Sequence, residues 1–260
     1  QSIQVNNILT NEYKKAKTRL KDIIEIQKNE KELDFPDTEN WSSYQSKKTG
    51  YFQNVSIDNL KEICKENDIQ ISILPIKGSF IAENSTIIKV SKSIDEELVL
   101  KILNNFNFAE GEFVEDNYLL GFKHIAEIGI RAISPAVNDP STTINTIDYL
   151  TDLLALRLLK KEDEIVSLED HLPCIWLSTI YFEELLYQII LPYRTYCKND
   201  FSCVQKLLLM FSFLLQQKTV SQKYHESIKK ESNNLYKDVK HSLKNERDLE
   251  RLEAMYQQIA

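Results

Sequence analysis

Residues 121–149 read GFKHIAEIGIRAISPAVNDPSTTINTIDY. Pro135 disfavours helical geometry in the residue before it and has no N–H to donate, so a first helix is predicted to end near Ser134. Pro140 suits the first position of a helix, which makes Asp139 the expected N-cap of a second one. The stretch therefore predicts two α-helices that meet at a sharp corner.

Polar side chains gather at this corner. The Asp139 carboxylate is expected to accept a hydrogen bond from the N–H of Ser141 or Thr142, and Arg131 is placed to span the corner to Asp139. In one interpretation Arg131, Asn138 and Asp139 form a satisfied polar latch between two packed helices. In the other, the corner belongs to a pocket for a small polar ligand or ion. The candidate ligand-binding residues are Arg131, Ser134, Asn138, Asp139, Thr142, Asp148 and His124.

The second helix of the stretch is predicted to be amphipathic. Its polar stripe consists of Ser141, Asn145, Asp148 and Asp152. Its core-facing positions are Ile144, Ile147, Thr151, Leu154 and Leu158.

Away from the corner, composition and periodicity predict an α+β fold that is mainly α. Only 5 Gly and 6 Pro occur in 260 residues, where average usage would give roughly 30 together. Such scarcity favours long helices. Period-two alternation and short apolar runs predict strands at 50–56, 69–74, 79–82 and 86–91, with one helix at 57–67.

The expected organisation is a small β-rich module joined to a helical bundle. Residues 1–48 are predicted to hold an N-terminal helix, at 8–33, and a linker. Residues 49–92 form the β-rich module. Residues 93–260 form the helical bundle that carries the corner, with a helix at 95–106 and helix from Asn117 to the C-terminus, broken near Pro135, Pro173, Asn199 and Val220.

An apolar helix predicted over 174–193 contains adjacent acidic residues, Glu183 and Glu184. One of them is expected to face the core, near Arg194 or Arg157, as a buried ion pair or an ion ligand. No stretch of about 20 residues is free of charged or strongly polar groups. No membrane-spanning helix is therefore expected in the sequence as given.

Charge excludes a general nucleic-acid binder, because the net charge is −7 and phosphate binding needs a basic face. Residues 1–31 nevertheless carry a local charge of +3. This basic first helix could sit against an anionic surface or could simply be solvated. Four cysteines without C-x-x-C spacing indicate reduced thiols in a cytoplasmic compartment.

Familiar catalytic and metal motifs are missing from the sequence. It contains no H-E-x-x-H, no Cys/His ligand spacing, no G-x-S-x-G and no phosphate-binding loop, so neither a metal nor a cofactor is expected. We therefore expect a non-catalytic ligand-binding, regulatory or assembly module, with a homo-oligomer as one form of assembly. The alternative is a hydrolytic or phosphoryl-transfer enzyme that uses Asp139, Asp148, Arg131 and His124.

The string RAISPAVNDPST, residues 131–142, resembles the signature of a bacterial family of predicted membrane proteins, domain of unknown function 2254. TGYFQ at 49–53 and SIQV at 2–5 resemble two further patches of that family. The resemblance implies about four transmembrane helices upstream, with this region in the cytoplasm and attached to the membrane through them. The basic residues at 14–21 agree with that orientation. The start at Gln1 instead of Met points to a cut or processed beginning.

Four departures of this chain from the family pattern bear on the candidate site. His124 stands where the pattern has Gln, Glu127 replaces Asp, Ala136 replaces Gly, and Thr143 replaces Ala. A proton-transfer role for His124 would therefore not be shared by the family. The resemblance implies location and architecture but no activity.

A second resemblance concerns LPIKGSFIAENSTIIKV, residues 74–90, which is similar to the barrel-sandwich modules that carry biotin or lipoyl groups. The carrier Lys flanked by Met is missing. The segment is therefore expected to be a structural β-module without a covalently attached cofactor.

Overall fold

The structure, a computed structural model, describes residues 2–29, 33, 36–109, 117–169 and 172–259. In chain order its elements are α1 (Ser2–Asn29), β1 (Ser42–Gln45), β2 (Gly50–Val55), α2 (Ile57–Asn67), β3 (Ile71–Ile73), β4 (Phe80–Ile81), β5 (Thr86–Val90), α3 (Glu96–Leu103), β6 (Phe106–Ala109), α4 (Tyr118–Ile133), α5 (Pro140–Arg157), β7 (Glu164–Ser167), β8 (Pro173–Leu177), α6 (Phe182–Tyr196), α7 (Phe201–Leu215), α8 (Gln222–Ser242) and α9 (Glu246–Gln257). The predicted class, α+β and mainly α, is confirmed.

The chain divides into two compact units. The helical unit contains α1 and α4 to α9, and the mixed unit contains all eight described strands with α2 and α3. The mixed unit therefore combines residues from two separate stretches of the chain, because β7 and β8 follow α5 in sequence.

Amphipathic faces build the core of the helical unit. Of the core positions predicted for α5, Ile147, Leu154 and Leu158 are buried, whereas Ile144 and Thr151 are only half-buried. The four residues of the predicted polar stripe are exposed. Buried apolar residues also recur at helical spacing on α4, α6, α7 and α8. Fully or almost fully buried members of this core include Leu20, Phe122, Leu186, Leu207, Phe211, Ile228 and Leu235.

Two open sheets build the mixed unit. The five-stranded sheet has the order β1-β5-β3-β8-β7, and the three-stranded sheet has the order β4-β2-β6. The β3–β8 pair is parallel, whereas every other pair described is antiparallel. The resemblance to a barrel-sandwich module is thus not matched by a closed barrel. The core contains Leu60 and Ile63 of α2, Ile71 and Ile73 of β3, Ile102 of α3 and Ile175 of β8.

The prediction of helix from Asn117 to the C-terminus, interrupted in this region only by a break near Pro173, is wrong between α5 and α6. Residues 164–167 and 173–177 form β7 and β8 instead, so the predicted helix over 174–193 begins only at Phe182. A short apolar run is compatible with a buried strand or a buried helix, and periodicity cannot separate the two. The strand is favoured here because the backbone of β8 pairs with that of β3, about 100 residues earlier in the chain.

Two other secondary-structure predictions need correction. The helix predicted over 95–106 ends at Leu103, and Phe106 begins strand β6, which pairs with β2. Glu183 and Glu184 both lie on the exposed side of α6. Glu183 pairs with Lys230 at 2.5 Å, and Glu184 accepts from Gln188 at 2.7 Å, so neither forms the expected core contact with Arg194 or Arg157.

The boundaries of the two units differ from the division at residues 48 and 92. Strand β1 precedes residue 49, and strands β6 to β8 follow residue 92, yet all belong to the mixed unit. Helix α1 belongs with the C-terminal helices. The difference arises because strands recruit partners by hydrogen bonding across the chain, which composition along the sequence does not record.

Candidate functional site

The second helix of the corner, α5, begins as the sequence predicts. Asp139 is the N-cap of α5, and its carboxylate accepts from the backbone N–H of Thr142 at 3.1 Å and from the Thr142 hydroxyl at 2.6 Å. The Thr142 hydroxyl first, and then the backbone N–H groups of the first turn, lower the pKa of the Asp139 carboxyl. Asp139 is therefore held ionised by α5 itself.

Backbone hydrogen bonds hold the loop of the corner in one conformation. Asn138 N–H donates to the Ser134 carbonyl at 2.8 Å, and Asp139 N–H donates to the Ala132 carbonyl, also at 2.8 Å. The Ser134 hydroxyl donates to the Arg131 carbonyl at 2.7 Å. Asn138 has a φ of 50°, in the left-handed region that Asn tolerates better than most residues. Ala136, where the family pattern has Gly, is not among the residues with positive φ.

The expected latch between Arg131 and Asp139 is not formed. Arg131 is exposed, and its guanidinium makes no hydrogen bond or ion pair within the part of the chain that the structure describes. The reason is local, because N-cap geometry turns the Asp139 carboxylate back onto α5, where Thr142 engages both of its oxygens. Arg131, Val137 and Asn138 are instead exposed at the corner.

Beneath the corner lies a buried polar contact that the sequence analysis missed. The Thr143 hydroxyl donates to the Gly129 carbonyl at 2.9 Å, which ties α5 to α4. The Thr146 hydroxyl lies 2.6 Å from the Thr143 carbonyl and 2.7 Å from the hydroxyl of Tyr193 on α6. Burial raises the pKa of Tyr193. A glycine in a helix interior, Gly129, is the sequence signal that indicates such a close approach.

Asp148, one of the predicted site residues, lines a polar groove between α1 and α5. We call it the α1–α5 groove. Its volume is about 420 Å³. The lining residues are Asn6, Leu9, Thr10, Asn145, Asp148 and Tyr149.

Hydrogen bonds and an ion pair position the side chains of the α1–α5 groove. The Asp148 carboxylate pairs with Lys206 of α7 at 2.5 Å. The Thr10 and Tyr149 hydroxyls lie 3.3 Å apart, and the Tyr149 ring packs on the Tyr13 ring with centroids 4.5 Å apart. Three of the lining side chains, Thr10, Asp148 and Tyr149, are thus positioned by contacts with other side chains.

One turn further along, α1 and α5 are joined by a second polar cluster. The Tyr13 hydroxyl donates to the Asp152 carboxylate at 2.8 Å, and the Lys17 ammonium lies 2.7 Å from the same carboxylate oxygen. Burial opposes the ionisation of Asp152, but the hydrogen bonds from Lys17 and Tyr13 outweigh it, so the pKa of Asp152 is lowered. The same contact with Asp152 raises the pKa of Lys17.

The side chain of His124 contacts Glu12, not Asp139. Its Nδ1 is 2.7 Å from a carboxylate oxygen of Glu12, so it joins α4 to α1.

The catalytic alternative uses four residues, Asp139, Asp148, Arg131 and His124. Within the described ranges, no hydrogen bond or ion pair connects any two of these four. Nor do three or more His, Cys, Asp or Glu residues of those ranges converge as a metal site.

The sequence profile of the family described as "Predicted membrane protein (DUF2254)" matches residues 1–212. The chain belongs to this family. The match confirms the resemblance drawn from RAISPAVNDPST and covers the corner and every lining residue of the α1–α5 groove. No curated protein and no solved structure matches the chain. Across the described residues of this DUF2254 member, no helix combines the length and apolarity needed to cross a bilayer.

Proposed function

We propose that this chain is the cytoplasmic, non-catalytic part of a bacterial membrane protein, and that it binds a small polar ligand in the α1–α5 groove. Membership of a predicted membrane protein family supports the membrane association. The observation that carries the binding function is the groove, because it is concave and brings convergent polar groups from two helices around an apolar floor.

The side chains of the groove favour a ligand without net charge. The carboxamides of Asn6 and Asn145 each offer both donors and acceptors, and the Thr10 and Tyr149 hydroxyls do the same. Asp148 is neutralised by Lys206 at 2.5 Å. Leu9, which is 1% exposed, supplies the apolar floor. A neutral or zwitterionic molecule with several hydroxyl, amide or amino groups fits this chemistry.

The position of α1 links the proposed ligand to the proposed membrane attachment. Helix α1 begins at Ser2, the end of the chain to which the upstream transmembrane helices are proposed to connect. A ligand that contacts both walls of the α1–α5 groove binds better when α1 rests against α5. Occupancy therefore stabilises that arrangement by mass action, and α1 is the element through which the membrane part senses it.

A ligand screen by thermal unfolding tests the proposal. Hits from a panel of polyols, amino acids and nucleosides are expected to raise the melting temperature of the wild-type chain. Asn145→Ala and Asp148→Asn are expected to weaken binding tenfold or more, about 1.4 kcal/mol for each factor of ten. The matched control is Asp22→Asn, which removes an exposed carboxylate of α1 that does not line the groove.

A further variant distinguishes the effect of the Asp148 carboxylate on binding from the effect of its ion pair with Lys206. Lys206→Gln keeps the carboxylate but removes its 2.5 Å partner, so binding to the remaining groove residues persists. Hits that bind Asn145→Ala and Asp148→Asn as tightly as wild type would place the site elsewhere. Turnover of an ester or phosphoester panel that Asp139→Ala abolishes, with folding intact, would contradict the non-catalytic assignment.

A further inference from the structure

Helix α8 has an acidic residue within its buried face. Tyr224, Ile228, Leu235 and Val239 recur at helical spacing and are each at most 3% exposed. Glu231 lies on the same face and is only 4% exposed. Helix α8 lies beyond residues 1–212, the part that matches the family profile, and it packs on α6 and α7, which are wholly or largely inside that part.

Among the described residues, only one of the two oxygens of the Glu231 carboxyl has a hydrogen-bond partner. Oε1 accepts from the Asn234 amide at 3.2 Å, whereas Oε2 is buried without a hydrogen-bond partner among the described residues. A buried carboxylate oxygen that lacks a donor is costly, because its interaction with water is lost and not replaced.

Arg194, which acts electrostatically on Glu231, does not replace the missing donor. Arg194 of α6 directs Nη1 to Asp238 at 2.7 Å, and its Nε is also buried without a hydrogen-bond partner in the described ranges. Arg194 attracts the charge of Glu231 without donating a hydrogen bond to it. The pair therefore lacks the geometry that allows a buried ion pair to offset the loss of hydration.

The other charged groups around Glu231 are of opposite sign and pair with each other. Glu183 of α6 repels the carboxylate, and Lys230 of α8 attracts it, but these two residues pair with each other at 2.5 Å. Burial is the largest effect and raises the pKa of Glu231, in spite of Arg194, Asn234 and Lys230, which act to lower it. His225, on α8 as well, is the other titratable residue of this helix with a buried, unpartnered nitrogen, Nε2.

We propose that Glu231 is a proton-binding site that makes the packing of α8 against α6 dependent on pH. One proton from solvent converts the carboxylate to a neutral carboxylic acid, which removes the buried charge and provides an O–H donor. The packed state of α8 holds this proton more tightly than an opened state in which Glu231 is hydrated. Helix α8 is therefore most firmly packed in acid and loosens as the pH rises.

Proton linkage determines the direction in which pH changes the packing of α8. Below the ordinary range of a glutamate both states are protonated, and the contribution of Glu231 to packing is fully present. As the pH rises through the raised pKa of the packed state, the carboxyl must ionise in a dry site, and that contribution is lost. A difference of one pKa unit between the two states corresponds to a tenfold change in the opening equilibrium.

Hydrogen exchange of the 260-residue chain tests the proposal. Protection of α8 amides, corrected for intrinsic exchange, is expected to fall about tenfold between about pH 4.5 and about pH 7.5 in the wild type. Glu231→Gln keeps the shape but cannot ionise, so its α8 protection is expected to change less than about twofold over the same range. Glu226→Gln, at an exposed position of α8, and His225→Asn are the matched controls and should retain the wild-type pH dependence.

A pH dependence that survives in Glu231→Gln, or that disappears in His225→Asn, overturns the assignment. A second measurement uses only the wild-type chain, so it does not depend on whether a variant folds. Carbon-13 spectra of the Glu-labelled wild type follow each carboxyl directly, and the Glu231 signal is expected to titrate at higher pH in the folded chain than in the same chain unfolded in urea. Titration at the same pH in both states contradicts the proposal.

Discussion

Gly129 and Thr146 approach so closely that a β-carbon added to Gly129 would lie 2.3 Å from the Thr146 hydroxyl oxygen. The same β-carbon would lie 2.3 Å from the hydroxyl of Tyr193. Real side chains do not tolerate such distances, so α4 reaches α5 and α6 here only because residue 129 has no side chain. This contact joins α4 and α5, the two helices that meet at the corner.

Gly129→Ala is expected to destabilise the helical unit by about 1–3 kcal/mol, because the new methyl group forces the buried Thr146 and Tyr193 hydroxyls apart. Urea unfolding followed by circular dichroism measures the change. Tyr193→Phe removes one of the two hydroxyls, so the loss in Gly129→Ala/Tyr193→Phe should be smaller than the sum of the single losses. Strict additivity would show that the steric account is incorrect.

Asp139→Ala is expected to cost about 1 kcal/mol, because the first turn of α5 loses the cap that accepts from Thr142. Asp139→Asn should cost less, since Asn is also a good N-cap. Arg131→Gln should leave the free energy of unfolding within about 0.5 kcal/mol of wild type, because the Arg131 guanidinium has no described hydrogen bond or ion pair to lose. A larger loss in Arg131→Gln than in Asp139→Ala would restore the latch interpretation.

Asp152→Asn is expected to loosen α1 from α5 at neutral pH by at most about 1 kcal/mol, since the carboxylate is half exposed and solvent screens its pair with Lys17. The lowered pKa of Asp152 means that its contribution is present above the ordinary carboxyl range and is lost as the pH falls through the lowered value. The difference between wild type and Asp152→Asn should therefore shrink as the pH falls below the ordinary carboxyl range. Unfolding curves at several pH values measure it, with Asp22→Asn as the control.

All four cysteines are buried, and we expect each to resist thiol reagents in the folded chain. The pKa of Cys64 is raised by its contact with the Cys174 thiol and by burial, and Cys197 is affected in the same way beside Cys203. Labelling should be about a hundredfold slower in native buffer than in denaturant, where all four thiols react. Ser141→Cys, at an exposed position, is the positive control. Equal labelling rates in the two buffers would contradict the burial.

The beginning of α5 was predictable because the forces that set it act within one turn. Asp139 caps α5 and Pro140 begins it through their own side-chain and backbone geometry, and the structure has both where the sequence predicts them. The core face of α5 and helix α2 were predictable for a similar reason, since amphipathic spacing repeats over a few residues. The family string was equally visible, because it is contiguous.

Strands β7 and β8 and the exposed position of Arg131 were not predictable. The run at 173–177 becomes a strand because β3 lies beside it, and no signal within the run records a partner about 100 residues away. Arg131 had a plausible partner in Asp139 at the level of the sequence, but both carboxylate oxygens were taken by Thr142. The α1–α5 groove likewise requires α1 to lie against a helix more than 100 residues later in the chain. Local chemistry thus specified where helices start and which face is apolar, whereas pairing between distant segments, which depends on the whole packed chain, set the sheets and the site.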